Sequence, residues 1–99
     1  MKQKLFLIVK TFIYDGLIEP DTEVYTTKEE RDKAWDSLVL SHNNMVIDCF
    51  GIELNHIPEE YYYEWGNDEL EFYCHDDPEM HHDYFVKSET TIEVFHENN

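Results

Sequence analysis

The sequence predicts an α+β domain: a mainly antiparallel sheet of about four to six strands, one main helix packed on it, and a second short helix. Three observations carry that expectation. Segments rich in β-branched and aromatic residues recur over residues 4–14, 45–54, 69–75 and beyond residue 83, the composition that fits a half-buried pleated surface. One segment, residues 28–41, instead repeats apolar residues at helical spacing behind a capping sequence. The 99 residues are 41% hydrophobic and include six Phe, seven Tyr and two Trp, which suits one core and a single domain over residues 1–99.

Residues 4–14 are almost continuously apolar. Leu5, Leu7 and Val9 fill one alternation, and Phe6 and Ile8 the other, as in a central strand buried on both faces or a twisted one. The apolar run that follows Lys2 and Lys4 stops at Lys10, too early for a signal peptide. The segment is therefore expected to be a strand and the protein cytoplasmic, with Cys49 and Cys74 as thiols. Asp15-Gly16 signals a turn. Pro20-Asp21 extends the loop, and a short second strand, residues 22–25, pairs antiparallel with the first.

Thr27, Lys28, Glu29 and Glu30 fit a capping box in which the Thr27 hydroxyl takes the Glu30 amide while the Glu30 carboxylate reaches back. Behind it Ala34, Trp35, Leu38, Val39 and His42 share one helical face, with Trp35 as the core plug. Ser41, His42, Asn43 and Asn44 are expected to end the helix, because these side chains compete for backbone hydrogen bonds. Residues 45–54 then suggest a strand bent at Gly51, a buried extension of the helix being the rival. Pro58, Glu59 and Glu60 suit the first turn of the short helix, which Gly66 would stop. Residues 69–75 alternate cleanly, with Leu70, Phe72 and Cys74 facing one way and Glu69, Glu71, Tyr73 and His75 the other. Asp76, Asp77, Pro78 and Glu79 make a turn. Residues 83–87 and 90–96 are further strands, joined as a hairpin across Ser88 and Glu89 or merged into one long strand.

Charge is spread unevenly along the chain. The formal net charge is −16; residues 1–33 hold six basic and seven acidic residues, whereas residues 34–99 hold one basic residue, Lys87, and sixteen acidic ones. Residues 58–83 alone carry ten carboxylates, six aromatic side chains and three histidines, without a Lys or Arg. Self-repulsion on such a surface costs stability. It opposes direct binding of nucleic acid, and no apolar run approaches the ~20 residues that span a bilayer. What it suits is a basic partner, expected to meet one continuous anionic surface. On a strand Glu69 and Glu71 lie about 6.6–6.8 Å apart, on the scale of successive phosphates. Glu59, Glu60, Glu64, Asp68, Asp76, Asp77, Glu79 and Asp83 extend the row, and Tyr61, Tyr62, Tyr63, Trp65 and Tyr73 are aromatic anchors of the kind interfaces favour.

In size, charge and expected form the chain resembles small phage-encoded inhibitors: DNA-mimicking anti-restriction proteins, the uracil-DNA glycosylase inhibitor and some anti-CRISPR proteins. The resemblance spans the whole chain by composition, shares no motif and carries over no functional residue. It implies a non-enzymatic inhibitor that occupies the phosphate groove of a basic nucleic-acid-binding protein or nuclease. The alternatives are a small metal- or pH-sensing domain that uses the histidines and acids between Cys74 and Asp83, and a plain acidic structural or regulatory module.

A second constellation is Cys74, His75, Asp76 and Asp77 with His81, His82 and Asp83. Imidazole, thiolate and carboxylate ligate transition metals, and histidines beside carboxylates respond to pH. His75, His81 and His82 are the candidate metal ligands, although their spacing fits no established metal motif, and no cofactor is expected. For catalysis, Gly16, Gly51 and Gly66 stand too far apart for a phosphate loop, and Ser37, Ser41 and Ser88 sit in no nucleophile motif. No enzyme is expected. No sequence signal decides between monomer and dimer.

Overall fold

In the computed structural model, which describes residues 1–94, five antiparallel strands and one helix follow one another as β1 (Lys2–Tyr14), β2 (Leu17–Tyr25), α1 (Lys28–Phe50), β3 (Tyr61–Trp65), β4 (Glu69–Cys74) and β5 (His81–Glu93). The strand order across the sheet is β2-β1-β5-β4-β3. The molecule measures 60 × 27 × 16 Å, with a radius of gyration of 16.7 Å, well above the ~13 Å of a compact chain this long. Two 13-residue strands, β1 and β5, paired along their whole length, set the long axis.

β1 and β2 join through Asp15 and Gly16, both at positive φ (51° and 77°), the conformation that matches a two-residue turn to the strand twist. β2 begins directly after this turn and runs through Pro20, so the expected loop at Pro20-Asp21 is strand. Its position at the sheet edge permits this, because the missing N–H leaves no ladder bond unmade.

Half of the expected capping box is present at the start of α1: the Glu30 amide donates to the Thr27 hydroxyl at 3.2 Å, and among the described residues the Glu30 carboxylate makes no return bond to the Thr27 amide. The helix passes through Ser41, His42, Asn43 and Asn44 and stops at Gly51, in the left-handed conformation at φ 65°. There the amides of Gly51 and Ile52 donate to the carbonyls of Ile47 and Val46. The expected strand over residues 45–54 is thus mostly the last two turns of helix. The physical reason lies in His42 and Asn43, whose polar atoms bond across to β3 and β5 and no longer compete for the local backbone.

The second short helix is absent as well. Only a turn closes at its expected start, with the Tyr61 amide on the Pro58 carbonyl at 3.0 Å. Residues 61–65 are β3, and strand alternation resolves the crowding of three consecutive tyrosines. Tyr61, Tyr63 and Trp65 face α1, while Tyr62 and Glu64 face away. β4 carries the predicted alternation, with Leu70 and Phe72 fully buried. β5 is one long strand and not a hairpin at Ser88, because β1 continues as its template to Glu93. Of the expected strand over residues 90–96, Phe95 and His96 lie outside the described residues.

Ile8, Trp35, Val46, Ile52, Tyr63, Leu70, Phe72 and Phe85 form the core between α1 and one face of the sheet. Trp35 is the predicted plug, 1% exposed, and its indole N–H donates to the Gly66 carbonyl at 2.9 Å. Nothing among the described residues covers the opposite face of the sheet. That is the departure from the expectation for β1: it is central, but only one of its two apolar faces lies under the helix.

Candidate functional site

The strand register fixes which side chains share the uncovered face. Directly opposed residues of an antiparallel pair point the same way, so the face reads off in rows. Tyr62, Tyr73, His82, Ile13 and Ile18 form one row from β3 to β2; Glu64, Glu71, Tyr84, Thr11 and Pro20 form the next; Glu69, Val86, Val9 and Thr22 a third. Ser88, Leu7 and Val24 continue it, then Thr90 and Leu5. The β2–β1–β5 side of the face is thus aliphatic, and the β4–β3 side is acidic and aromatic.

These strand positions of the uncovered face include no Lys or Arg. Lys2, Lys4, Lys10 and Lys87 occupy the opposite alternation of β1 and β5, and Lys28, Arg31 and Lys33 are on α1. On that side the basic groups are largely paired: Lys10 with Asp21 and Glu23, Lys4 with Glu89, Lys87 with Asp32, and Arg31 with Asp32 and the Ser88 carbonyl. Glu64 and Glu71 are opposed directly across β3 and β4, a like-charge pairing that destabilises a sheet. Relief comes from His82, whose Nε2 lies 2.8 Å from Glu71 Oε2. The negative field also registers on the phenols. The Glu64 carboxylate beside Tyr62, helped by burial and by the Glu71 charge, pushes its hydroxyl up to about 12. Burial first, and then Glu69 and Glu71, raise Tyr84. Both rings stay neutral hydrogen-bond donors. Tyr62 stacks on Tyr73 at 5.0 Å between centroids, and Tyr73 lies 4.9 Å from His82.

Of the residues predicted to bind a partner, Tyr62, Glu64, Glu69, Glu71 and Tyr73 share this face, and Asp68 adjoins it from the β3–β4 turn. Glu59, Glu60, Asp76, Asp77 and Glu79 are exposed at the other end of that hairpin, where the His75 amide bonds the Glu60 carbonyl. Asp83 is a correction. It points under the helix, 1% exposed, and cannot touch a partner. The expected continuous anionic surface is also a correction. Glu19, Asp21 and Glu23 face the helix side on β2, and α1 carries acids of its own, so negative charge surrounds the molecule. What distinguishes the uncovered face is the absence of cations more than the density of anions.

Asp83 organises a different site. Its Oδ1 accepts the Tyr14 hydroxyl at 3.0 Å, and its Oδ2 accepts from Nε2 of both His42 and His81 at 2.8 Å. His42 Nδ1 meets the Tyr63 hydroxyl at 2.9 Å, which also bonds the Asn43 side chain. Burial alone would raise the Asp83 carboxyl, but the bonds from His42 and His81 outweigh it and hold it at about 2. Burial and the Asp83 charge push the Tyr63 hydroxyl well above its usual range. This network ties α1 to β1, β3 and β5.

The histidine constellation does not assemble. His81 turns under the helix to Asp83, His82 lies on the uncovered face against Glu71, and His75 is exposed beside Tyr62 and Tyr73. Consecutive strand residues point to opposite faces, which separates His81 from His82. Among the described residues no group of three or more His, Cys, Asp or Glu is arranged to hold a metal ion. Cys49 and Cys74 are free thiols, and no helix of the described residues is long and apolar enough to cross a membrane.

Sequence reasoning missed Thr11, Ile13 and Tyr84 on the uncovered face, and Tyr14, His42 and Tyr63 in the buried network. For the first group the signal lay in β1 itself, where Lys2, Lys4 and Lys10 all fall in one alternation and leave the other uncharged. For the second there was only His42 on the apolar stripe of the helix. Comparison with protein-family models, with curated proteins and with solved structures gives no match.

Proposed function

We propose that this chain is a non-enzymatic binding protein whose uncovered sheet face docks on a basic nucleic-acid-handling protein and inhibits it by covering its phosphate-binding surface. One observation carries the reading. A five-stranded sheet leaves a whole face bare, and on that face Glu64, Glu69 and Glu71, with Asp68 at its border, stand beside Tyr62, Tyr73 and Tyr84 without a counter-cation. The directly opposed Glu64 and Glu71 are stabilised by any cation that approaches them, so their repulsion is a cost that binding removes. The tyrosines supply rigid contact area with a polar tip, which suits them to an interface.

The test compares wild type with Glu64→Lys/Glu71→Lys. Each is used as bait in lysate at about 50 mM and about 300 mM salt, a range over which exposed charges become screened. Captured proteins are then assayed for nucleic-acid binding with and without the bait. The expected result is capture of a nucleic-acid-binding protein that is lost with the double substitution, weakens steeply with salt, and competes with DNA or RNA. A captured protein that keeps its full affinity for nucleic acid inside the complex would refute the inhibitory mechanism.

A further inference from the structure

The uncovered face is not flat. A cleft of about 230 Å³ opens between β1, β5 and β4, lined by Thr11, Ile13, Tyr84, His82 and Glu71. Its lining is mostly apolar, with Ile13, Thr11 and Tyr84 beside His82, and Glu71 supplies its one carboxylate. His82 engages only Oε2 of Glu71; Oε1 has no hydrogen-bond partner among the described residues. A second cleft of about 270 Å³, lined by Tyr62, Glu64, Gly66, Asp68 and Glu69, shares Glu71 with the first.

We propose that the first cleft receives an arginine or lysine side chain of the partner, with its stem between Ile13 and Tyr84 and its charged head on Glu71. This rests on the reading of the bare face as a docking surface, and it names what that surface recognises. The chemistry selects the occupant. An anion meets Glu71 with Glu64 and Glu69 behind it. A wholly apolar group fills the walls but takes water from the free carboxylate oxygen and gives nothing back. A long basic side chain satisfies both parts, since its methylenes lie on apolar surface while its head stays polar, and the Tyr84 ring adds attraction for a cation near its face. Leu5, Leu7, Val9, Val86 and Val24 continue from the cleft as an aliphatic stripe. The segment that fits is therefore a protein segment with its basic residue flanked by apolar ones. A bare cationic groove of the kind that binds only phosphate does not fit the stripe. A second copy of this chain is a poor occupant: its own uncovered face offers no Lys or Arg, Lys4, Lys10, Arg31 and Lys87 are paired with acids, and it brings a further −16 of charge.

The probe is the acetylated, amidated peptide Gly-Leu-Arg-Leu-Gly, compared with a version in which citrulline replaces arginine and so keeps the shape but loses the charge. Binding is followed by amide chemical-shift titration. The arginine peptide is expected to saturate and to move the amides of Thr11, Ile13, Glu71, His82 and Tyr84. The citrulline peptide should bind about tenfold more weakly, and Glu71→Gln should weaken the arginine peptide by about the same factor. Glu71→Gln is a safe variant for folding, since it keeps an acceptor for His82 and removes the repulsion from Glu64. Glu30→Gln on the helix should change nothing. Equal binding of the two peptides, unchanged binding by Glu71→Gln, or shifts spread over the helix would each overturn the proposal. So would concentration-dependent shifts of the same amides without peptide, which would make a second copy the occupant. Failure here, with capture by the bare face still abolished by Glu64→Lys/Glu71→Lys, removes the cleft and leaves the docking face standing.

Discussion

Asp83 is the residue at which a single change should do most damage. Its carboxylate is buried and accepts three side-chain donors: Tyr14 from β1, His81 from its own strand, and His42 from α1. Asp83→Ala strands His42 in the interior and takes the acceptor from the part-exposed His81 and from the hydroxyl of the exposed Tyr14. Removing one partner of a buried ionic network costs about 3–5 kcal/mol, and Asp83→Asn, which keeps an acceptor oxygen, should cost less. The pH dependence supplies a sharper test. The folded carboxyl lies at about 2 against 3.8 when free; at about 1.4 kcal/mol per pH unit the full gap corresponds to about 2.5 kcal/mol, most of it lost by pH 2. Because the folded value is depressed, that stabilisation is complete above the free value and is lost as pH falls through the folded one.

The assay is urea denaturation followed by the fluorescence of Trp35 and Trp65, for wild type and Asp83→Asn, at steps between about pH 5 and about pH 2. Subtracting the two curves matters, since a chain of net charge −16 also gains stability in acid as its other carboxylates lose their mutual repulsion. That gain is common to both proteins and cancels. The difference should be largest near pH 5 and shrink by about 2 kcal/mol toward pH 2. Parallel curves over the whole range, or an Asp83→Ala protein as stable as wild type, would refute the network as the clamp between helix and sheet.

Two further substitutions probe the helix. Trp35→Ala removes the largest buried side chain and its bond to Gly66 and should lower stability by about 3–5 kcal/mol, read as a drop in urea midpoint; an unchanged midpoint would contradict its place in the core. Gly51→Ala puts a Cβ on a left-handed residue, at φ 65° with open space around it, so the cost is conformational alone and about 1–2 kcal/mol. A thermal melt that is unmoved would mean that α1 ends elsewhere.

The parts of the fold legible in the sequence are those decided by local chemistry. The Thr27 cap, the alternation of Leu70 and Phe72 in β4 and the Asp15-Gly16 turn each depend on a few adjacent residues. The two misread segments are those where a distant partner overrode a local preference. Ser41 to Asn44 looks like a helix end until His42 finds Asp83 and Tyr63, 41 and 21 residues away. Tyr61 to Trp65 looks like the continuation of a helix begun at Pro58 until β4 supplies a pairing edge. The candidate site was half legible. The acids and tyrosines of β3 and β4 are visible in composition, but which of them share a face depends on register. Asp83 was misplaced for that reason: it lies one residue from His82 and on the other side of the sheet.

The bare apolar face and the large negative charge explain each other. An uncovered sheet with Leu5, Leu7, Val9, Ile13, Ile18 and Val24 on one side is by itself a surface on which two copies would stack. Acids on the helix, on β2 and in the connections after β1, α1, β3 and β4 oppose the approach of a second copy, over a range of about 8–10 Å at physiological salt. The same field draws a basic molecule inward. Solubility and recognition are therefore not rival accounts of the acidity. On the proposed reading, charge distributed around the whole molecule keeps the face free, and the confinement of every Lys and Arg among the described residues to the helix or to the helix side of the sheet favours a basic partner.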